Sequence, residues 1–389
     1  MIRTTQNPRL YRVVFLGTYS LHPRQKLLLE ALETSPDWEV SQCRENPWGS
    51  VSDKTQIKGV GARLRILIKF LLAYPVLTVR YLRQPQHDLV VMMHAGLLDV
   101  LLLGWLVKLR RKPLVWDIYI SWFDTLVNDR GLFKAGSMRA RLLHLLERTA
   151  VRIADAMFLD TREHADYFET LYALPKQSIG VVHVGVDSEF LQVLKSNSDI
   201  YPASVRGKCL RLLYYGNYIP LHGVKTIVEA VAMLRDAGME IGLTLVGDGQ
   251  TAREVTQRIS DLGLDNVTRI PWLPYADLVS TILGSDICLG IFGTSGKALR
   301  VIPNKIYQIA ATGVPFISAA TPAISEFCEL AGGQLPCELV PPGDPEALAK
   351  GIQSLYARRG HPTHRGFAAD VNNVREEFSS LLFEILSPQ

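Results

Sequence analysis

Three glycine turns in the second half of the sequence each stand just ahead of a helical pattern: Gly216-Asn217, His222-Gly223 and Gly247-Asp248-Gly249. Turns of this kind present backbone N–H groups and the positive end of a helix, and together these bind phosphate. Cations able to complete such a site are Lys297, Arg300 and Lys305, with Arg24 in the first half of the chain. An arginine offers phosphate a planar fork and a lysine a point charge. Pro303-Asn304-Lys305 reads as a helix start, so Asn304 and Lys305 add exposed N–H groups. Two readings stand for several of these residues. Gly247–Gly249 is either a contact or a plain turn, Lys305 either a phosphate partner or a solvated helix residue, and Arg300 either a stabiliser of leaving-group charge or a surface arginine.

The first half carries a different set. Gly17 ends the first apolar run, where a glycine lets a ligand approach the backbone, and His22 and Arg24 follow on the same loop. His94 ends one later strand pattern and Asp117 another. After Asp117 the chain is dense in polar groups for a loop following a buried strand. Ser121, Asp124, Asp129 and Arg130 are therefore candidates, with His22, for holding a polar substrate. Asp124 and Asp129 can equally cap helices or pair with Arg130, and His94 can be a satisfied structural histidine. Asp117, Arg300 and His94 are the residues expected nearest the reacting atoms.

Strands alternate with helices along the whole chain, which predicts parallel sheets with right-handed crossovers. Strands are expected near Tyr11–Leu16, Trp38–Cys43, Leu89–Met93, Pro113–Trp116, Ala156–Leu159 and Ile179–Val182. The rhythm breaks at Lys195–Lys208, rich in Ser and Asn, and restarts at Leu210–Tyr215. The fold class is α/β with two Rossmann-like domains facing each other, one over 1–200 and one over 201–360. Residues 361–389 should form a helix packing back on the first domain. Ligands sit at the carboxyl ends of strands in such sheets, so the site is expected in a cleft where the two halves face each other.

The 389 residues, 48% of them hydrophobic, are enough for two cores. Five scattered cysteines without a CxxC pair give no disulfide framework and no zinc site, which suits the cytoplasm. No metal is expected. The amino-terminal residues lack the apolar run of a signal peptide, and no segment is committed as a transmembrane helix. Yet from Lys54 to His87 there is no acidic residue, while Lys54, Lys58, Arg63, Arg65, Lys69, Arg80 and Arg83 alternate with leucines and isoleucines. A basic helix with a broad apolar face suits an anionic membrane surface, the alternative being a core helix with solvated basic ends. Lys108, Arg110, Arg111 and Lys112 form a second cluster. The net charge of +4 and the lack of a binding motif argue against nucleic acid.

The run Leu212-Leu-Tyr-Tyr-Gly-Asn-Tyr-Ile-Pro-Leu-His-Gly-Val, then Leu243-Thr-Leu-Val-Gly-Asp-Gly, Asn266-Val-Thr-Arg-Ile-Pro-Trp-Leu-Pro, Ser285-Asp-Ile-Cys-Leu-Gly-Ile-Phe-Gly, Pro303-Asn-Lys-Ile-Tyr-Gln-Ile-Ala-Ala-Thr-Gly and Val340-Pro-Pro-Gly-Asp-Pro resemble glycosyltransferase family 4. The blocks follow family order over roughly Leu210–Leu355. The resemblance implies a GT-B fold, a nucleotide-sugar donor bound as substrate with no cofactor, and retention of anomeric configuration. The acceptor it implies is a glycan or a lipid-linked acceptor, in surface polysaccharide or glycolipid synthesis on the cytoplasmic face of the membrane. With such a donor, the residues expected to contact it are Gly17, Gly216, Asn217, His222, Gly223, Asn304 and Gln308, with Arg24, Lys297 and Lys305 as sources of positive charge, and those expected at the acceptor, in the domain over 1–200, are His22, Ser121, Asp124, Asp129 and Arg130. The sequence departs from the pattern at four places. Asn217 and His222 stand where members carry Arg and Lys, and Gln308 and Arg300 stand where they carry two glutamates. These departures keep alive a non-catalytic membrane-associated partner protein, and the fold alone keeps alive a nucleotide-sugar epimerase.

Overall fold

The computed structural model describes residues 9–387, apart from 21, 48, 50–59, 95, 198–208, 333–334, 359–366 and 368–370. The chain divides into two units. The first comprises residues 1–127, Phe133–His183 and Val371–Gln389; the second comprises Asn128–Leu132 and Val184–Asp370.

The first unit is built on β1 (Tyr11–Thr18), β2 (Trp38–Glu45), β3 (Leu89–Met92), β4 (Leu114–Asp117), β5 (Ala156–Leu159) and β6 (Gly180–Val181). They pair in the order β2-β1-β3-β4-β5-β6, every pair parallel. Side chains alternate across a strand, so β1 sends Val14 and Leu16 into one core and Val13 and Phe15 into the other. The first core is closed by α2 (Val60–Leu82), α3 (Leu97–Leu109), α4 (Met138–Ile153) and α5 (Arg162–Tyr172). The second is closed by α1 (Pro23–Glu33) and by α13 (Val371–Leu386), which brings Val374, Phe378 and Leu382 against Phe158. The Trp38 indole N–H donates to Ser379 Oγ at 3.2 Å, and Gly180 leaves room for Leu381, which would stand 2.6 Å from a Cβ there.

The second unit repeats the plan with β7 (Leu210–Tyr215), β8 (Ile241–Val246), β9 (Val267–Ile270), β10 (Ile287–Leu289), β11 (Phe316–Ala319) and β12 (Cys337–Val340). Their order is β12-β11-β10-β7-β8-β9, again all parallel. Its main core is closed by α7 (Val224–Asp236), α8 (Ala252–Asp261) and α12 (Pro345–Ala357). The remaining helices are α6 (Ser188–Ser196), α9 (Tyr275–Leu283), α10 (Asn304–Thr312) and α11 (Pro322–Leu330). Asp187, Thr321 and Asp344 cap α6, α11 and α12 through their side-chain oxygens.

The expected α/β class and its strand–helix alternation are present in both units. Three elements had no counterpart in the sequence reading: α6, α11 and β12. The chain leaves the first unit at His183, ahead of the polar stretch at 195–208, because α6 packs in the second unit. There Phe190 meets the Tyr275 ring, and the Tyr275 hydroxyl donates to Asp187 at 3.0 Å. Most of that polar stretch, 198–208, lies outside the described residues, as do Lys54 and Lys58 of the basic segment and the Arg63 side chain. Cys328 and Cys337, apart in sequence, bring their thiols to 3.5 Å.

Part of the basic residues is engaged within the first unit. Arg80 pairs with Glu45 at 2.6 Å, Lys108 pairs with Asp155, and the Arg110 guanidinium donates to the carbonyls of Tyr81 and Gln84. Among the described residues no helix is long and apolar enough to cross a membrane.

Candidate active site

In the first unit, the residues singled out from sequence gather at the carboxyl ends of β1, β3 and β4. Arg24 and Asp117 form a buried ion pair, 3.2 Å apart at Nε and Oδ2, with side chains 1% and 0% exposed. A further Arg24 nitrogen donates to the Val182 carbonyl at 2.9 Å, and the guanidinium lies over the Tyr119 and Phe158 rings. The expectation that Arg24 grips a diphosphate is therefore corrected. Its fork is closed over a carboxylate, and it is the partner that lets Asp117 stay charged in the core. Burial pulls the Asp117 carboxyl up, but Arg24 and His94 outweigh it and hold it below the usual carboxylate range. His94 stands behind Asp117, with Nδ1 at 3.5 Å from Oδ2, edge-on to both His22 and Tyr119. His22 opens α1, where its backbone N–H donates to Gln25.

Gly17 serves a partner the sequence did not reveal. Its φ is +141°, and a Cβ there would stand 2.4 Å from Asp99 Oδ2. The Asp99 carboxylate accepts from the Thr18 backbone N–H and hydroxyl, both at 2.8 Å, and from Tyr74 at 3.1 Å. Burial raises its pKa against those hydrogen bonds. So Gly17 makes room for a carboxylate of its own unit.

Ser121 is likewise engaged inside the unit. Its hydroxyl donates to Glu147 Oε2 at 2.7 Å and accepts from the Asp124 N–H. Glu147 also accepts from Tyr172 at 2.6 Å and from the Trp122 N–H at 3.0 Å, and burial pushes its carboxyl up. Ser121 is thus a tie between the post-β4 loop and α4 rather than an open acceptor contact. Asp124 is buried at the start of a π-helical turn, Asp124–Asp129. Asp129 and half-buried Arg130 belong to the second unit, where Asp129 accepts from the Ser295 hydroxyl at 3.2 Å. A buried pair absent from the sequence reading is His164 and Asp160, 2.7 Å apart at the end of β5.

In the second unit, the carboxyl ends of β7 and β10 bring five of the expected donor residues together. Gly216 ends β7 with φ +133°, and a Cβ on it would meet the His222 ring and the Lys305 ammonium, each at 3.3 Å. Lys305 is 4% exposed, so it is not a solvated helix residue. Its Nζ donates to the Gly290 carbonyl at 3.2 Å and lies 3.8 Å from the centre of the Tyr214 ring. Burial pulls its pKa well below the usual lysine value. His222 Nδ1 lies 2.5 Å from the Asn217 carbonyl, which only accepts, so Nδ1 carries the proton and Nε2 is left as an acceptor. Burial holds His222 well below its ordinary pKa, and any charge on Lys305 pushes the same way. Gly223 takes φ +61°, and a Cβ there would stand 2.5 Å from the Phe292 backbone. The loops after β7 and β10 therefore touch main chain to main chain.

Gln308, one turn along α10 from Lys305, accepts from the Tyr215 hydroxyl at 3.1 Å. Asn304 opens the helix after Pro303, half-buried. Lys297 and Arg300 stand half-buried in the turn before it, Arg300 with a guanidinium nitrogen 3.0 Å from where a Cβ on Gly296 would lie. Gly247 and Gly249 pack on Gly216 and Tyr218, as turn glycines do: a Cβ on Gly247 would be 2.1 Å from the Gly216 carbonyl oxygen. A lysine, a neutral imidazole and a helix start, all at the carboxyl edge of a parallel sheet, can receive a phosphate group.

Residues 209–358 match the family described as glycosyl transferases group 1. WcaI of Escherichia coli K12, named for colanic acid biosynthesis, is 28% identical over 173 residues, 43% of this chain and 41% of that protein. WcaL of Salmonella typhimurium, also named for colanic acid biosynthesis, is 22% identical over 272 residues, 65% of this chain and 64% of that protein. The chain thus spans less than two thirds of the length of these curated relatives. HepE of Anabaena, solved in complex with UDP-glucose, superposes with a TM-score of 0.64 at 15% identity, covering 96% of this chain and 99% of that one. That likeness gives the chain the GT-B fold.

Proposed function

Because residues 209–358 match the group 1 glycosyltransferases, we propose that the chain moves a sugar from a nucleotide-sugar donor to a glycan or lipid-linked acceptor, with retention and without a metal. The observation that carries this is the buried Lys305 ammonium set against Gly216 and His222. Members of the family place Arg and Lys where this chain has Asn217 and His222. Lys305 would supply a cation at the same glycine once a diphosphate favours its charged form, which would relocate the charge rather than remove it. Arg300 and Lys297 lie on the turn before α10, where they would meet the departing phosphate. Gln308 would hydrogen-bond a ribose hydroxyl in place of a glutamate.

In the step itself the bond from the sugar C1 to the phosphate oxygen breaks and a bond from C1 to the acceptor oxygen forms on the same face. The leaving phosphate takes the acceptor proton. The cations stabilise the charge that grows on that phosphate, which is where electrostatic catalysis acts most strongly. His94, backed by Asp117, would orient the acceptor side. The relatives named for colanic acid support an acceptor from surface polysaccharide synthesis, and the HepE complex makes UDP-sugars the first donors to try. The basic, apolar segment 54–87 would hold the enzyme on the cytoplasmic face of an anionic membrane, where lipid-linked acceptors are presented.

A thermal-shift panel of nucleotide-sugars, with Arg300→Ala alongside, tests the donor site. A hit raises the melting temperature and is lost in the variant. Transfer of that sugar with retained configuration, read by NMR of the product, completes the case. Turnover of the donor without any acceptor would replace transfer by epimerisation, and no shift with any donor would replace it by a non-catalytic partner role.

A further inference from the structure

We propose that α2, α3 and α4 together present one lipid-contacting plane that docks the first unit on an anionic bilayer, with Trp105 entering the acyl region. The inference rests on the membrane reading of segment 54–87 and extends it to two helices outside that segment.

The three helices are neighbours, and each already buries one face in the same core, through Leu77 and Tyr81, Leu103 and Val107, and Leu143 and Ala150. Each carries a second apolar stripe on its outer side. On α3 it is Leu102, Trp105 and Leu109, spaced three and then four residues apart; on α4 it is Met138, Leu142 and Leu145, spaced four and then three. That spacing lines up one helix face, and a solvated helix keeps its outer face polar. The amino-terminal part of α2 goes further. No side chain from Leu64 to Leu72 is buried, and Leu71 and Leu72 are 63% and 64% exposed. A helix exposing that much apolar side chain around one basic face, Arg65 and Lys69, suits the boundary between water and an apolar medium.

The charges select the occupant. The only carboxylates on these helices are Asp99 and Glu147, both buried, while Arg65, Lys69, Arg139, Arg141, Arg148 and Arg152 are exposed. A second copy of the same face would set cation against cation, whereas an anionic lipid surface complements it. Arginine and lysine stems can lie along the apolar surface and lift their charges to the headgroups. Trp105 is 57% exposed, and its indole N–H already donates to the Leu102 carbonyl, so the ring can leave water without stranding a donor. The 13 residues of α3 make about 20 Å of helix, short of a bilayer's hydrocarbon core, so the face lies on the membrane rather than crossing it.

The test is co-sedimentation of the full chain with vesicles of phosphatidylcholine alone and of phosphatidylcholine mixed with phosphatidylglycerol. The parent should partition to the mixed vesicles only, with a blue shift of tryptophan emission that Trp105→Phe removes. Leu142→Ser with Leu145→Ser should weaken partition about tenfold or more. The melting temperature and donor binding of that variant should be unchanged. If it binds vesicles like the parent while Leu67→Ser with Leu71→Ser does not, contact is confined to α2 and the three-helix plane is wrong. If the parent ignores anionic vesicles yet binds donor, the membrane reading falls with it and the transferase reading stands. Self-association of the parent, abolished by the α4 substitutions without lipid, would assign the plane to a second copy and overturn the proposal.

Discussion

Replacing Lys305 by methionine should separate stability from donor binding. The lysine is buried at the end of β7 with its Nζ on a carbonyl oxygen and an aromatic face, and its pKa lies well below 10.5. The folded state therefore holds its proton less tightly than the unfolded chain does. The sign follows: the folded state disfavours the ammonium, so Lys305 costs stability most at low pH, and the cost fades as pH rises toward the ordinary lysine value. A diphosphate brought against Gly216 reverses this by favouring the charged form, so binding takes up a proton. Between the free and bound pKa values, affinity should fall with rising pH by up to about tenfold per unit. Loss of one charge-assisted hydrogen bond, about 1.5–3 kcal/mol, predicts that Lys305→Met weakens UDP binding roughly 10- to 150-fold. The same variant should melt at a higher temperature, since it buries no amine. The assay is calorimetric titration with UDP in two buffers of different ionisation enthalpy, from pH 6 to 9. Net uptake moving toward one proton, lost in the variant, is the expected result. No uptake anywhere in that range, with unchanged affinity in Lys305→Met, would refute the reasoning.

Asp117→Asn should destabilise the first unit by about 3–5 kcal/mol, because it strands the Arg24 guanidinium, which is 1% exposed. Urea titration of that unit's transition reads it, and a loss under about 1 kcal/mol would mean the pair is not closed as described. In the parent, the depressed Asp117 pKa adds stability that is complete above the unfolded value near 4 and is lost as pH falls through the folded one. Gly17→Ala should cost about 2 kcal/mol or more, through a strained φ and a Cβ against Asp99 Oδ2. Combined with Asp99→Ala it should cost less than the sum of the single changes, since the clash is then gone; strict additivity in the thermal midpoint would argue against that contact.

Local signals placed the site's scaffold well. The apolar runs that end in Gly17 and Gly216 became β1 and β7 with their glycines at the carboxyl edge. Pro303 and Gly313 bracketed α10 because a proline at the start and a glycine past the end are set by backbone geometry alone. What sequence could not show was which polar residues face each other. Arg24 and Asp117 are 93 positions apart, so nothing near Arg24 announced that it was already paired. Glu147 sits in a helix among residues that also suit a solvated face, and only the tertiary packing turns it inward, while nothing near Asp99 in the apolar α3 announced Thr18 and Tyr74 as its partners. Lys305 shows the reverse. It has the composition of a helix surface, and the aromatic Tyr214 beneath it makes it a core residue.

The closing of the first unit's core by α13 bears on how the protein comes off the ribosome. Val374, Phe378 and Leu382 cover the face of the sheet made by Val13, Phe15 and Phe158, yet Val184–Asp370 is synthesised in between. At about 5–20 residues per second, that stretch takes roughly 10–40 s to make. Through that interval only α1 covers that apolar side of the earlier-born sheet, leaving the part that α13 will take, whereas the strands of the second unit all lie within one continuous stretch. The unit that begins first finishes last, and a nascent-chain chaperone would find its binding surface on β1 and β5, not on the sheet of the second unit.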